Sequence, residues 1–314
     1  MRAMVLQTYG LTPQLAEVPA PSPGANEVLV RVRATSVNPI DWKQASGVYR
    51  PILTAHFPFV PGYDLAGEVE VVGPGVQGFE RGQRVHTRLS GQQGGANAEL
   101  VCAGTDVLTP MPDGMDFAQA AGLPLVGLTA LQALRDGAAL PMQGATTRVL
   151  IVGASGGVGH LAVQLAHAAG AHVTGVCSAK NAALVRGLGA DEVLDSANPA
   201  ALAAASPFDT VVDCVGLSMG PFLARLRPAG RLVACVPGPA VFARAAFNRF
   251  SSKQVVPLLM KPNARDLALL GEAWRRRELR VVVDRTFPAA QLGDAWAHSR
   301  TGRTAGKLIV AWEA

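Results

Sequence analysis

The sequence predicts an α/β protein of two domains, in which a small β-rich domain precedes a doubly wound parallel sheet of six strands. Two observations support this fold class. Roughly the first hundred residues contain short β segments separated by glycine and proline, which is typical of an irregular barrel or sandwich. From about Asp116 onward, apolar strands alternate with helical patterns, which is typical of a parallel sheet covered on both faces.

The predicted elements follow one another in a simple order along the chain. The β segments of the first domain are predicted at Glu27–Val37, Gly67–Gly73 and Glu99–Cys102. The strands of the second domain are predicted at Val149–Ala154, His172–Cys177, Asp191–Asp195, Thr210–Gly216, Arg231–Pro237 and Val255–Met260. A helix at about Asp266–Glu278 and two more strands, Val281–Asp284 and Lys307–Val310, complete the chain. Such a tail would most economically rejoin the β-rich domain, so we expect domains at 1–118 and 119–262 and a returning segment at 263–314.

The composition argues against several functional classes. The chain has 314 residues, of which 49% are hydrophobic and 16% charged, and this is enough apolar material for two buried cores. The net charge of +5 favours anionic ligands only slightly, because 28 basic residues stand against 23 acidic ones and form no nucleic-acid stripe. The N-terminus has no secretory signal, and the uncharged stretch Phe117–Leu134 is interrupted by Pro124. We therefore expect a cytoplasmic protein that has no membrane span and binds no nucleic acid.

The cysteines give no sign of a disulfide framework. Cys102, Cys177, Cys214 and Cys235 lie far apart, and three of the four fall in apolar strand patterns. We expect buried thiols in a reducing compartment.

A glycine-rich turn follows the first strand of the second domain. The segment Val149–Ala166 (VLIVGASGGVGHLAVQLA) is a strand, a turn and a helix in that order. Gly156 would let the backbone approach a pyrophosphate, and Gly159 would let the helix pack closely on the strand. The helix N-terminus would offer N–H groups and partial positive charge to phosphates. We predict a dinucleotide site, although a tight turn that binds nothing has the same pattern; its predicted cofactor-binding residues are Ser155, Gly156, Gly157 and Val158.

The next strand ends without the acidic residue that usually binds the cofactor's ribose. VTGVCSAKN, residues 173–181, has Cys177 where a carboxylate would accept hydrogen bonds and repel a 2′-phosphate. Ser178 can donate to a phosphate oxygen, and Lys180 can place a cation beside it. The missing acid favours NADPH over NADH, although Lys180 alone would be equally consistent with a solvated lysine at a helix start.

Several blocks of residues, in order along nearly the whole chain, resemble one family. They are VNPIDWKQASG (Val37–Gly47), PFVPGYDLAGEVEVVGPGV (Pro58–Val76), FERGQRV (Phe79–Val85), LPLVGLTAL (Leu123–Leu131), GASGGVG (Gly153–Gly159), LGADEVLD (Leu188–Asp195) and GKLIV (Gly306–Val310). The chain resembles the zinc-free quinone oxidoreductase branch of the medium-chain dehydrogenase/reductase superfamily. CSAKN and LGADEVLD are most like the chloroplast-envelope quinone oxidoreductase homologues and the enone oxidoreductases. The resemblance implies a GroES-like catalytic domain, a Rossmann domain, an active site in the cleft between them, and a homodimer.

The resemblance also implies that no metal is bound. Zinc-dependent relatives have Cys where this chain has Asn38, and His-Glu where it has Tyr63 and Asp64. Without thiolate and imidazole ligands, a tetrahedral zinc site has nothing to be built from.

Without a Lewis acid, the reduction of a polarised carbon–carbon double bond is easier to catalyse than the oxidation of an alcohol. The resemblance implies that hydride passes from NADPH to the β-carbon of an enone or to a quinone, while hydrogen-bond donors stabilise the enolate. It implies catalytic roles for Asn38 and Thr129, and Tyr49 and Tyr63 are candidate donors to the enolate oxygen. Water could supply the proton instead, and Tyr63 could simply form a wall. Thr129, Val215 and Val236 are expected beside the cofactor.

Two alternatives to this function are open. Arg244 and Arg249 could meet the phosphopantetheine of a CoA- or carrier-bound acyl thioester, which would make the protein a pathway-specific enoyl reductase. A non-catalytic NADPH-binding protein of the same fold is the second alternative. An apolar or aromatic substrate is suggested by candidate pocket-wall residues, namely Trp42, Tyr49, Tyr63, Phe242 and Phe247.

Overall fold

The computed structural model describes residues 1–50, 52–91 and 94–312. The strands in chain order are β1 (Arg2–Val5), β2 (Gln14–Glu17), β3 (Glu27–Val37), β4 (Asp64–Val72), β5 (Arg84–Arg88), β6 (Leu100–Gly104), β7 (Thr109–Pro110), β8 (Arg148–Val152), β9 (His172–Cys177), β10 (Glu192–Asp195), β11 (Phe208–Asp213), β12 (Leu226–Ala234), β13 (Gln254–Pro257), β14 (Val283–Pro288) and β15 (Lys307–Ala311). The α-helices are α1 (Pro39–Ala45), α2 (Phe117–Gly122), α3 (Pro124–Gln132), α4 (Gly157–Ala168), α5 (Ala182–Gly187), α6 (Pro199–Ala204), α7 (Gly220–Arg225), α8 (Pro239–Ala246), α9 (Ala264–Arg275) and α10 (Leu292–Arg300).

The chain divides into two units. The first unit consists of Met1–Leu125, Pro262–Arg275 and Val281–Ala314, and the second of Val126–Lys261 and Arg276–Arg280. The two units therefore differ in the number of chain segments that build them, three against two. Within the described ranges, no helix is both long and apolar enough to cross a membrane.

Strand β3 organises the sheet of the first unit. Its sequence EVLVRVRATSV alternates over much of its length, and its apolar positions are buried. The strand order is β14-β15-β3-β4-β5-β7, and β6 also pairs with β3. Antiparallel pairing sets Ser36 opposite Asp64 of β4 and Val37 opposite Leu308 of β15. The end of β3 therefore meets the beginnings of β4 and β15, although these three strands are far apart in the sequence.

The second unit contains the six-stranded parallel sheet that the sequence predicts, and this prediction is confirmed. Its strand order is β10-β9-β8-β11-β12-β13, and every neighbouring pair is parallel. From β8 the chain goes outward on one side through β9 and β10, and on the other through β11, β12 and β13. Beside β8 the strand order therefore reverses, and in sheets of this kind ligands bind outside the carboxyl ends of the strands at such a point.

Candidate active site

The glycine turn lies at the carboxyl end of β8, where α4 begins at Gly157. A Cβ atom on Gly159 would lie 2.1 Å from the carbonyl oxygen of Gly153 and 2.8 Å from Ala154 Cα. Only glycine allows α4 to start this close to the strand. The first turn of the helix includes Val158, and its backbone N–H groups have no carbonyl of the same helix to bind. This part of the sheet edge has the form of an anion-binding cradle.

The turn is connected to the end of β9 by hydrogen bonds. Backbone N–H groups of Gly153 and Ala154 both donate to the carbonyl oxygen of Val176, at 3.0 and 2.9 Å. The side-chain amide of Asn181 donates to Ser155 Oγ at 2.9 Å. Sequence reasoning did not identify Asn181 as a candidate. The available signal was that Asn181 directly follows the candidate Lys180.

No carboxylate occupies the end of β9. Cys177 is buried there, and burial raises the pKa of its thiol, so the side chain is neutral. Ser178 is half-buried and Lys180 is exposed. Cys177 pairs in register with Asp195 of β10, whose carboxylate accepts the backbone N–H of Ala197 at 3.0 Å.

The loops after β11 and β12 form the other half of this edge. Val215 and Val236 are 49% and 38% exposed, and a Cβ atom on Gly216 would lie 3.3 Å from Val236 Cβ. Buried Asp213 shapes the first loop, because its carboxylate accepts the backbone N–H groups of three successive residues, Val215, Gly216 and Leu217, at 2.9–3.0 Å. Sequence reasoning did not identify Asp213.

The predicted cofactor residues of β8, β9, β11 and β12 therefore lie at the carboxyl edge of four adjacent strands. Thr129 belongs to the same unit but lies on α3, where it is 6% exposed.

A separate group of polar side chains is buried in the first unit, and we call it the Asn38 cluster: Ser36, Asn38, Asp41, Asp64 and Lys307. Asn38 Nδ2 donates to Asp64 Oδ2 at 2.9 Å, and Asn38 Oδ1 accepts from Lys307 Nζ at 2.6 Å. Ser36 Oγ also donates to Asp64 Oδ2, at 2.9 Å. Every member is at most 2% exposed, so protein partners rather than water orient these groups.

The charges of the Asn38 cluster are balanced by neighbours. Asp64 Oδ1 accepts the backbone N–H of Leu125 at 3.0 Å, so both oxygens of this carboxyl act as acceptors. Burial raises the pKa of Asp64, while the Lys307 ammonium and the hydrogen bonds oppose that rise. Burial also raises the pKa of Asp41 to about 7, although its Oδ2 accepts the Asn38 N–H at 2.7 Å. Arg88 adds a second cation, and its guanidinium lies 4.5 Å from the centre of the Tyr63 ring.

The two candidate tyrosines lie in different surroundings. Tyr63 is completely buried, its hydroxyl donates to Gln44 Oε1 at 2.7 Å, and burial raises its pKa to about 12. The surroundings of Tyr63 are therefore those of a residue that only forms a wall. Tyr49 is half-buried, and the Lys43 ammonium lies 5.9 Å from the centre of its ring.

Three other expectations can be compared with the structure. Cys177 is buried, and Cys214 is a half-buried residue whose thiol is buried, but Cys102 and Cys235 are half-buried, so the expectation of buried thiols was wrong for these two. Arg244 lies on α8 and donates to Ser251 Oγ at 2.7 Å and to the Lys253 carbonyl at 3.2 Å, which are contacts with the segment that follows the helix. The guanidinium of Arg249 lies 4.6 Å from the ring centre of Phe250.

The candidate wall residues differ in exposure: Phe242 and Phe247 are 45% and 62% exposed, whereas Trp42 is half-buried and donates to Ser299 Oγ at 3.1 Å. Among residues 1–50, 52–91 and 94–312, no three His, Cys, Asp or Glu side chains are grouped to hold a metal ion.

Comparisons with known proteins place this chain among characterised families. A family described as alcohol dehydrogenase GroES-like domain matches residues 24–113, and one described as zinc-binding dehydrogenase matches residues 188–310. The chain is 41% identical to the chloroplast envelope quinone oxidoreductase homolog of Arabidopsis thaliana, over 99% of this chain and 98% of that protein. It is 31% identical to the human mitochondrial NAD(P)H oxidoreductase RTN4IP1, over 91% of this chain and 81% of that protein. The structure of the quinone oxidoreductase from Coxiella burnetii superimposes with a TM-score of 0.89 at 31% identity, over 100% of this chain and 99% of that one.

Proposed function

Because the chain belongs to the quinone oxidoreductase branch of the medium-chain dehydrogenase/reductase superfamily and is a nicotinamide-dependent oxidoreductase, we propose that it reduces enones or quinones with NADPH and without zinc. The substrate in this proposal is a small apolar or aromatic molecule that contains an activated carbon–carbon double bond. The observation that carries the proposal is the hydrogen-bonded Asn38 amide, which is held between a buried cation and a buried anion.

The residues at the carboxyl edge of the second unit's sheet fit a nicotinamide dinucleotide. Gly159 permits close approach of α4, and the cradle at Gly156, Gly157 and Val158 suits a pyrophosphate. The preference for NADPH is supported by the neutral Cys177, the hydroxyl of Ser178 and the exposed cation of Lys180. A 2′-phosphate at this position would meet no carboxylate on β9 and would gain a charge-assisted hydrogen bond.

The chemistry is the reduction of a polarised double bond. When bound, NADPH would supply the hydride that reduces the β-carbon of the enone. The carbonyl oxygen then gains negative charge, and a fixed N–H donor at that oxygen lowers the barrier because it needs no reorganisation. We assign this donor to Asn38 Nδ2. Thr129 is assigned to the nicotinamide side, and Tyr49 or water to the proton that reaches the α-carbon.

Zinc independence is supported by the chemistry of the Asn38 cluster. An amide, a hydroxyl and carboxylates surround a buried ammonium there, and the cluster contains neither thiolate nor imidazole. This donor set does not suit tetrahedral zinc, and Lys307 already supplies a positive charge to Asp64. The proposed reduction therefore needs no metal ion.

The test is a stopped-flow screen of NADPH oxidation by the purified protein over alkyl enones, quinones and enoyl thioesters, repeated with NADH. We expect turnover of free enones or quinones with a preference for NADPH. Absence of turnover on all free electrophiles would contradict the proposal. Faster turnover of thioesters would instead support a pathway-specific enoyl reductase, and tight NADPH binding without hydride transfer would support a non-catalytic protein.

Two further parts of the proposal concern the state of the protein in the cell. We propose a homodimer that acts in the cytoplasm. Light scattering coupled to size-exclusion chromatography measures the molecular mass in solution. The mass of a monomer would contradict the proposed homodimer. Cell fractionation tests the compartment, and recovery of the protein in an organelle would contradict the proposed cytoplasmic location.

A further inference from the structure

Lys307 is the first residue of the last strand, β15, and its side chain is 2% exposed. A lysine this deeply buried is rare, because an unpaired ammonium loses its hydration. Here Nζ donates to the backbone carbonyl of Val37 at 3.0 Å and to Asn38 Oδ1 at 2.6 Å. It also lies 4.0 Å from Asp64 Oδ2. The ammonium is therefore paired and hydrogen-bonded, as a buried charge must be.

The partners of Asn38 allow its carboxamide only one orientation. An amide side chain can rotate by half a turn, and only its hydrogen-bond partners decide which end is oxygen. Lys307 can only donate, so the end that faces it must be Oδ1. Asp64 accepts on both oxygens, so the end that faces it must be Nδ2. The opposite rotamer would place an N–H group against an ammonium and an oxygen against a carboxylate.

We propose that Lys307 is a positioning residue that fixes and polarises the Asn38 carboxamide, so that its second Nδ2–H is held ready for the substrate oxygen. One Nδ2–H is engaged by Asp64, and in the described part of the chain no hydrogen bond of the second is found. A cation on Oδ1 draws electron density from the amide, which makes the remaining N–H a stronger donor. This inference rests on the proposed function, because it explains what makes the Asn38 N–H a strong hydrogen-bond donor in that function.

A purely structural role for Lys307 predicts a different result. A lysine that only stabilises the sheet would lower stability when it is replaced, and its effect on turnover would not depend on Asn38. A positioning residue acts through Asn38, so its effect must disappear when the amide is absent. A double-mutant cycle measures this dependence directly.

The cycle consists of wild type, Lys307→Met, Asn38→Ala and the double variant, assayed with NADPH and an alkyl enone such as 3-penten-2-one. We expect Lys307→Met to lower kcat about tenfold while the KM for NADPH stays within about twofold of wild type. In the Asn38→Ala background, the same lysine substitution should change kcat by less than about twofold. Multiplicative losses in the double variant, or an unchanged kcat in Lys307→Met, would overturn the inference.

One additional variant keeps the test decisive if Lys307→Met folds poorly. Lys307→Met combined with Asp64→Asn removes both members of the Lys307–Asp64 ion pair together, so neither is left without the other. With the ammonium gone, this double variant should show at least the loss of kcat of Lys307→Met, and thermal unfolding should show a folded protein. Wild-type kcat in this variant would overturn the inference.

The matched control is Lys253→Met. Lys253 belongs to the second unit, whereas the Asn38 cluster belongs to the first, and its ammonium donates to the Leu223 carbonyl at 2.6 Å. Its kcat should stay within about twofold of wild type. A tenfold loss in this control would overturn the assignment to Lys307, because removal of any structural lysine would then suffice. If wild type itself reduces no enone or quinone, the proposed function fails, which is distinct from failure of the cycle.

Discussion

The carboxyl edge of the second unit and the Asn38 cluster of the first are built in opposite ways. At the edge, the candidate site consists of backbone groups. Glycine, which has no side chain, allows helix α4 to begin close beside strand β8. In the cluster, charged side chains make the site, and they come from sequence positions as far apart as Asn38 and Lys307. A site of the first kind depends on local sequence, whereas a site of the second kind depends on strand register. The two should therefore fail differently when they are perturbed.

The largest effect is expected in the cluster, from Asp64→Ala. This change leaves the Lys307 ammonium buried without its counter-ion, and breaking such a pair costs about 3–5 kcal/mol in the free energy of unfolding. Urea unfolding of the variant measures the loss. Lys307→Met added to Asp64→Ala should recover part of that stability, and a double variant that is no more stable than Asp64→Ala would argue that the charges are not coupled.

At the edge, Gly159→Ala should act by steric overlap. The added Cβ would lie 2.1 Å from the Gly153 carbonyl oxygen, so α4 must move, at a cost of about 1–3 kcal/mol. NADPH affinity, measured by calorimetry, should fall because the cradle moves with the helix. The matched control is Gly220→Ala, where no atom lies within 4 Å of the added Cβ. Equal losses in both variants would show that close approach at Gly159 is not the cause.

Lys180→Ala tests whether the edge recognises a 2′-phosphate. Lys180 is exposed and follows a strand end without a carboxylate, so its removal should raise the KM for NADPH about tenfold, about 1.4 kcal/mol. The KM for NADH should change little, and steady-state kinetics with both cofactors provides this internal control. Equal increases for the two cofactors would mean that Lys180 does not recognise the phosphate.

The last effect concerns the pH dependence of stability, and it is expected to act through Asp41. Burial raises the pKa of this carboxyl from 3.8 to about 7, near Asp64, Lys307 and Arg88. Between those two values the folded state holds a proton that the unfolded state has released, so stability falls as pH rises from about 4 to about 7. Asp41→Asn cannot release that proton, so its stability should decline less than that of wild type over this window.

Urea unfolding of both proteins at pH 5 and pH 8 measures this difference. Parallel declines in wild type and Asp41→Asn would show that Asp41 does not carry the proton. Like Asp64→Ala, and in contrast to Gly159→Ala and Lys180→Ala, Asp41→Asn changes the Asn38 cluster of the first unit and no residue of the carboxyl edge.

The accuracy of the sequence predictions follows the same division. The predicted strand His172–Cys177 coincides with β9, and Val149–Ala154 overlaps β8 at Arg148–Val152. Apolar runs and glycine turns are local signals, so such elements are visible in one short window. In the first unit, the prediction Gly67–Gly73 missed the first three residues of β4, among them Asp64. The apolar pattern of a strand does not predict a buried carboxylate such as Asp64 at its first residue. Only the groups that Asp64 binds in the folded structure explain its position.

The sequence by itself determined the class of the fold, the parallel sheet, the glycine turn and the absence of an acid after β9. These features depend on residues within about twenty positions of one another, because periodicity and turn chemistry act over short ranges. Tertiary structure alone decided that Lys307 meets Asn38 and Asp64, and that the Tyr63 hydroxyl points to Gln44. The physical reason is that a buried charge is stable only beside a partner, and strand pairing, not sequence distance, determines which residues become partners.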